Sequence, residues 1–132
     1  MALPKLFYNS KEQQPVINAH LKVFSIDGTY SEYSLKLGKN IIGRFVPNEN
    51  NPDIPIFKDA FVSRFHAVIT VVQKENESYT FTLTDNYKNG GGNSSTNGTF
   101  YGKESSRLTE NDQIDLCSGC VFFIAQTKII LK

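Results

Sequence analysis

Side chains rich in hydrogen-bond donors lie at three separate points of the sequence: Arg44, then Ser63 and Arg64, then Thr96 and Asn97. Guanidinium, hydroxyl and amide groups all donate hydrogen bonds, and the planar guanidinium fork matches the oxygens of a phosphate. Backbone amides of tight turns can add further donors. If the fold brings the three points together, they form a small binding site for a dianion.

Each donor-rich segment adjoins an extended stretch of sequence. The apolar run Asn40–Ile42 ends at Gly43-Arg44, and Phe61–Val72 is polar in its first half and β-branched in its second, which favours a buried strand. Asn97-Gly98 favours a tight hairpin, because both residues accept positive φ. Polar groups at the end of a rigid strand form recognition surfaces more often than they form part of the core. The sequence thus predicts that the donors lie at strand ends.

Three short motifs, in a fixed order and each adjoining a strand, resemble the signature of the forkhead-associated (FHA) domain. The motifs are Gly43-Arg44, Ser63-Arg64-Phe65-His66 and Ser95-Thr96-Asn97-Gly98-Thr99. Each motif alone is weak, but the ordered set is much more specific. The resemblance covers nearly the whole chain and implies a phosphothreonine-binding β-sandwich.

The resemblance also implies a role for each donor. Arg44, Ser63, Arg64 and Thr96 are expected to bind the phosphate, and Asn97 to bond the backbone of the bound peptide, which suits an amide that both donates and accepts. By residue type alone, Arg44 also fits a solvated surface position, and the hydroxyls of Ser63 and Thr96 fit ordinary turn chemistry. A surface role for Arg64 is an equally open alternative.

The resemblance further implies that three residues support the loops: Gly43, His66 and Gly98. A catalytic role for His66 is disfavoured, because it begins an apolar strand and has no nucleophile or acid at a useful spacing. The sequence shows no paired-carboxylate motif, phosphate-binding glycine loop or metal-ligand cluster. We therefore expect no catalysis, cofactor or metal in this domain, although the family's module is often joined to a kinase or other catalytic domain.

The fold class follows from the number and spacing of extended segments. We predict roughly ten or eleven short strands in an antiparallel β-sandwich with the binding loops at one end, because the sequence lacks helical periodicity and long crossover connections. Strands are predicted at residues 20–26, 30–37, 40–44, 56–57, 61–72, 78–85, 100–102, 113–116, 121–125 and 128–131. Residues 1–18 are predicted to form a flexible leader, and 19–132 the domain.

Two loops of the predicted fold depart from the family pattern. Residues 45–55 are dense in proline and asparagine, which predicts a surface loop longer than the family's matching segment. In the family, the acid that ends the preceding strand usually lies close to the Ser-Thr-Asn-Gly-Thr turn. Here Asp85 is separated from that turn by the glycine-rich insertion 86–94. The insertion is either a mobile loop beside the binding face or a neutral surface insertion.

Composition limits the classes of partner. The chain has 132 residues and a net charge of +1, without the basic face that a nucleic-acid binder usually shows. It has no apolar run of membrane-spanning length and no signal-peptide pattern. We therefore expect a nuclear or cytoplasmic domain, monomeric in isolation, whose partner is a protein or peptide containing phosphothreonine.

Two cysteines, Cys117 and Cys120, have the C-x-x-C spacing of some zinc and redox sites. A structural zinc site needs four ligands, and the two histidines, His20 and His66, are far away in sequence. A redox motif would begin a helix in a βαβ unit, whereas residues 115–122 indicate strand, turn and strand. We predict two reduced thiols flanking a turn.

Two other functions remain as alternatives. The sandwich could serve as an interaction or self-association module that does not need phosphate, using the 45–55 loop and the glycine-rich insertion. A carbohydrate-binding domain would also suit asparagine, glycine and aromatic residues, but it leaves the order of the three motifs unexplained.

Overall fold

The computed structural model describes residues 17–76, 78–85, 97–102, 106–109 and 112–132. These residues form eleven strands and no helix, which confirms the all-β prediction. The strands are β1 (His20–Phe24), β2 (Tyr30–Ser34), β3 (Gly38–Arg44), β4 (Ile54–Ile56), β5 (Ala67–Gln73), β6 (Tyr79–Asp85), β7 (Thr99–Tyr101), β8 (Ser106–Arg107), β9 (Ile114–Leu116), β10 (Val121–Ile124) and β11 (Thr127–Leu131). No helix in the described part of the chain is long and apolar enough to cross a membrane.

The strands form a sandwich of two sheets. A six-stranded sheet has the order β2-β1-β11-β10-β7-β8, and a five-stranded sheet has the order β4-β3-β5-β6-β9. The described pairings are antiparallel except for β3 and β4, which run parallel. The antiparallel sandwich predicted from the sequence is therefore confirmed, with one parallel pair at the edge of the smaller sheet.

Alternating burial explains why these segments are extended. On β1, Leu21 and Val23 are buried, and on β11 Ile129 and Leu131 are buried, with more exposed residues between them. Successive side chains of a strand point to opposite faces, so β1 and β11 send every second residue inward. The central strand β5 instead buries 67–69 in succession. Apart from Val68, the buried apolar side chains form one hydrophobic cluster between the sheets.

The core extends further toward the N-terminus than the predicted domain boundary. Ile17, which the sequence places in the leader, is buried and belongs to the core cluster together with Ala19. Residues 1–16, the rest of the predicted leader, lie outside the described residues.

The second predicted strand is too long, because a buried asparagine interrupts it. The strand was predicted over 30–37, but β2 ends at Ser34. The Asn40 amide accepts the Lys36 N–H at 3.0 Å and donates to the carbonyls of Lys36 and Ile69 at 2.9 and 3.2 Å. These bonds fold residues 36–40 into a compact turn.

Strand β4 begins earlier than predicted, and it contains a proline. It spans Ile54–Ile56 rather than 56–57 and lies at the edge of its sheet. Proline cannot donate a ladder hydrogen bond, so an edge strand is where a sheet tolerates it. The open edge of this strand is partly covered, because the Tyr33 hydroxyl donates to the Pro55 carbonyl at 3.3 Å. The two-residue strand β8 was not predicted.

Candidate functional site

The ends of several strands meet at one end of the sandwich. In the five-stranded sheet, Ile42 pairs with Ala67, and Ala67 pairs with Asp85. In the six-stranded sheet, Thr99 begins β7 opposite Ile124. The segments just beyond these positions are the loops that the sequence analysis singled out, so the fold brings Arg44, 63–66 and 97–98 to the same end.

The first two motifs are joined through the backbone. The Arg44 N–H donates to the Ser63 carbonyl at 2.9 Å, and the His66 N–H donates to the Ile42 carbonyl at 2.8 Å. These two bonds extend the hydrogen bonding of β3 beyond the point where its regular pairing with β5 ends. Residues 63–66 are therefore held against the end of β3 as a loop, and the regular strand begins at Ala67.

His66 connects the second motif to the third. Its side chain is fully buried. Nδ1 accepts the Ser63 N–H at 3.0 Å, and Nε2 donates to the Gly98 carbonyl at 2.8 Å. This pattern requires the neutral ring with its proton on Nε2. Burial lowers the pKa of His66 below its ordinary value, against the opposing effect of the Gly98 carbonyl.

Gly43 stands where two segments cross too closely for any side chain. A Cβ atom at this position would lie 1.9 Å from the Arg64 carbonyl oxygen and 2.9 Å from Pro52 Cγ. The glycine of the first motif thus permits the approach of the second motif. Glycine is favoured at position 98 for a different reason. Its φ is +91° in the turn before β7, a conformation that L side chains rarely adopt.

The two arginines have different surroundings. The Arg64 guanidinium donates to the Asn50 carbonyl and lies 5.3 Å from the centre of the Phe65 ring. The Arg44 side chain is half-buried and lines a pocket of about 450 Å³. In the part of the chain that the structure describes, the buried Nε atoms of both arginines make no hydrogen bond.

The loop after Arg44 is stabilised by its own asparagine. Asn51 Oδ1 accepts the Val46 N–H at 2.7 Å, while Nδ2 donates to the carbonyls of Val46 and Glu49 at 2.9 and 3.0 Å. The Phe45 and Phe57 rings pack 4.5 Å apart at its base. This loop therefore presents the Asn50 carbonyl to Arg64 from a fixed conformation.

Asn97 ties the third motif to the loop that follows β4. Its side chain is exposed, and Nδ2 donates to the Phe61 carbonyl at 2.8 Å. Thr96, the remaining predicted phosphate ligand, lies outside the described residues, as does the insertion 86–94.

Asp85 lies directly beside the third motif despite the insertion. Its Oδ1 accepts the Thr99 hydroxyl at 2.7 Å, and both residues are buried. The bond joins the last residue of β6 to the first residue of β7, so it links the two sheets at the candidate site. In the prediction from the sequence, Asp85 is separated from the turn by the insertion, and Thr99 has no assigned function.

Asp59 is a supporting residue that the sequence analysis missed. This buried carboxylate accepts the Phe61 N–H at 3.1 Å, the Gln126 N–H at 3.1 Å and the Thr127 hydroxyl at 2.7 Å. Aspartate before a turn is a recognisable signal. Its partners at the β10–β11 turn are far away in sequence, so local pattern did not reveal them.

Comparison with known proteins agrees with this geometry. The family model of the FHA domain matches residues 40–125, so the chain belongs to the FHA domain family. FHA domains are phosphopeptide-binding interaction modules. No curated protein gives a significant match. Within the described residues, no group of three histidine, cysteine, aspartate or glutamate side chains could hold a metal ion.

Solved structures show the same fold. The chain is similar to the Slr1951 protein from Synechocystis sp., with 23% identity, a TM-score of 0.69, and coverage of 87% of this chain and 97% of that one. It is 26% identical to the FhaA FHA domain, solved in complex with the intracellular domain of Rv3910, with a TM-score of 0.61 and coverage of 87% and 100%. A chain from an analysis of phosphothreonine-dependent FHA domain interactions is also 26% identical, with a TM-score of 0.59 and coverage of 86% and 95%.

Proposed function

We propose that this domain binds phosphothreonine in a partner protein, with Arg44 as the main cation for the phosphate. The observation that carries the proposal is the convergence of the three motifs. Arg44 bonds Ser63 through the backbone, and His66 joins Ser63 to Gly98. A phosphate bound between these loops would face donors from each of them.

The unsatisfied arginine nitrogens support an anion as the ligand. A buried donor without an acceptor costs about 1–3 kcal/mol, and more if the group is charged. The Nε atoms of Arg44 and Arg64 are buried and have no acceptor among the described residues. A phosphothreonine brings roughly two negative charges and three acceptor oxygens, so a small shift of either side chain toward it would recover that cost.

Arg64 is proposed as the secondary phosphate ligand, because part of its guanidinium already bonds the Asn50 carbonyl. Ser63 and Thr96 are proposed to contribute their hydroxyls. Asn97 is proposed to hold the peptide backbone. Because its Nδ2 donates to Phe61, we assign Oδ1 as the acceptor for a peptide N–H.

Titration of one peptide, with and without its phosphate, into wild type and Arg44→Ala tests the proposal. Losing the charge-assisted bonds of Arg44 should cost about 1.5–3 kcal/mol, which is roughly a ten- to hundredfold loss of affinity. Arg44→Lys should recover only part of it, because an ammonium cannot reproduce the fork. The matched control is Lys128→Ala, which removes a cation from the other sheet and should leave affinity unchanged.

An interaction surface that does not need phosphate is the second candidate. Phe57, Phe61 and Phe65 lie on the loops around the site and expose 44%, 53% and 37% of their surface, more than large apolar side chains usually do. The proposal of phosphothreonine binding would be contradicted if the phosphorylated and unmodified peptides bound equally well and a folded Arg44→Ala protein bound them with unchanged affinity. Loss of that binding in Phe61→Ala would then favour the second candidate.

A further inference from the structure

The turn between β9 and β10 holds two thiols at the end of the sandwich opposite the candidate phosphate site. Both cysteines are free and flank a turn, as the sequence predicts. Their sulfur atoms lie 3.0 Å apart. We propose that Cys117 and Cys120 form a dithiol site that exchanges with a low-molecular-weight disulfide and closes into an intramolecular disulfide.

The backbone holds the two thiols in place. The Cys120 N–H donates to the Cys117 carbonyl at 3.0 Å, which closes the turn. The Gly119 N–H donates to the Leu131 carbonyl at 2.7 Å, and the Leu131 N–H donates to the Cys120 carbonyl at 3.0 Å. These two bonds anchor the turn to the last strand. A disulfide needs sulfurs about 2 Å apart, so a shift of about 1 Å would form the bond.

Two hydrogen-bonding groups mark Cys120 as the sulfur that attacks first. The Cys117 N–H donates to Cys120 Sγ at 3.1 Å, and the Tyr101 hydroxyl lies 3.5 Å from the same sulfur. Donors directed at a sulfur stabilise its thiolate, and the thiolate is the nucleophile. Burial raises the pKa of the Cys120 thiol, but the bonds from Tyr101 and Cys117 outweigh it, so the pKa lies below its ordinary value. The bond with Cys120 raises the pKa of Cys117.

The reaction is a two-step thiol–disulfide exchange. The Cys120 thiolate attacks one sulfur of a small disulfide such as oxidised glutathione; that sulfur–sulfur bond breaks, and one glutathione thiolate leaves. Cys117 then gives its proton to solvent and attacks the Cys120 sulfur, so the second glutathione thiolate leaves. The protein loses two electrons and two protons, and the small disulfide gains them as two thiols.

The order of alkylation tests the assignment of the nucleophile. With limiting iodoacetamide at neutral pH, we expect Cys120 to react roughly three- to tenfold faster than Cys117, as a depressed pKa increases the thiolate fraction. This order is the reverse of exposure, since Cys117 is the more exposed thiol. Tyr101→Phe should slow Cys120 and leave Cys117 unchanged. Faster reaction of Cys117, or equal rates, would overturn the assignment.

Incubation with oxidised glutathione, followed by intact-mass measurement, tests the disulfide. Wild type should lose two hydrogen atoms and retain no adduct. Cys117→Ser should keep one glutathione on Cys120, because it lacks the second thiol, and Cys120→Ser should react slowly. A stable adduct on wild type, or a wild type that stays reduced while Cys117→Ser is modified, would refute the dithiol site. The phosphopeptide affinity is measured separately and does not affect this outcome.

Discussion

His66 is a buried ionisable residue whose neutral form holds two loops together. Its ring accepts from the Ser63 N–H and donates to the Gly98 carbonyl, so a proton added to Nδ1 would remove one bond and place a charge in the core. The stability of the domain should therefore depend on the protonation of this one ring.

We expect the free energy of unfolding to fall as the pH drops below about 6.5. The folded pKa of His66 is lowered from 6.5, so the unfolded chain binds more protons between the two values. The stabilisation is fully present above the unfolded pKa and is lost as the pH falls toward the folded one, by up to about 1.4 kcal/mol per pH unit.

Urea unfolding at several pH values between about 7 and 5 measures this slope. His66→Gln should be less stable and should lose most of the slope. His20→Gln removes the other histidine, which lies near Glu32 on the surface, and should keep the slope. Identical slopes in wild type and His66→Gln would show that another group causes the pH dependence.

At the residue scale, the order of the motifs predicts that Gly43, Arg44 and His66 lie together, and the structure brings them to the same end of the sandwich. Asp59 and Thr99 were missed, because each acts through a partner on another strand or turn. Their residue types are common in turns and strands, so only tertiary contacts distinguish them.

At the scale of elements, the loop between β4 and β5 depends on Asp59. Its carboxylate joins the start of this loop to the β10–β11 turn. A carboxylate with these contacts braces Phe61, whose carbonyl in turn accepts from Asn97. The position of the candidate peptide-binding amide thus depends on a buried acid that need not touch the ligand.

Asp59→Asn should destabilise the domain by about 2–3 kcal/mol, since an amide replaces an acceptor-only group that faces three donors. Chemical denaturation measures the change. The control Asp53→Asn alters a more exposed carboxylate that accepts the Ile41 N–H and pairs with Lys36. It should cost less than about 1 kcal/mol. Equal losses in the two variants would contradict the bracing role of Asp59.

Alternating apolar residues were enough to predict most strands, but not their ends. Residues 78–85 alternate clearly and form β6 within one residue of the prediction. The end of β2 depends on the hydrogen bonds of Asn40, and the start of β4 depends on the edge position that tolerates Pro55. The sequence of the strand alone shows neither of these two effects. The same holds for the parallel β3–β4 pair, which pattern alone did not predict.

On the scale of the whole molecule, the net charge of +1 gives the domain no general attraction for anions. Affinity for a phosphopeptide should therefore come from the local cations, and its salt dependence should follow them. Raising the salt from about 0.05 to 0.5 M should weaken binding to wild type and Asn97→Ala more than to Arg44→Ala, because screening acts on the charge pair that Arg44→Ala has lost.

Isothermal titration of the three proteins at several salt concentrations measures these slopes. Thermal melts of the same samples establish that each variant is folded. A salt slope in Arg44→Ala as steep as that of wild type would assign the phosphate contact to another cation. Arg64→Ala is then the variant to measure next.

Pro55 also determines how a peptide can approach the five-stranded sheet. The Ile56 carbonyl accepts the Phe45 N–H and therefore points toward β3. The backbone N–H and C=O groups of neighbouring residues in a strand point to opposite sides. The backbone nitrogen and carbonyl of Pro55 therefore face the open edge. At that position the nitrogen has no hydrogen, and the carbonyl already accepts from Tyr33. Many domains capture an extended peptide by adding it as a further strand to a free sheet edge. At β4 that mode lacks its central hydrogen bonds, so this edge of the five-stranded sheet is poorly suited to adding a further strand.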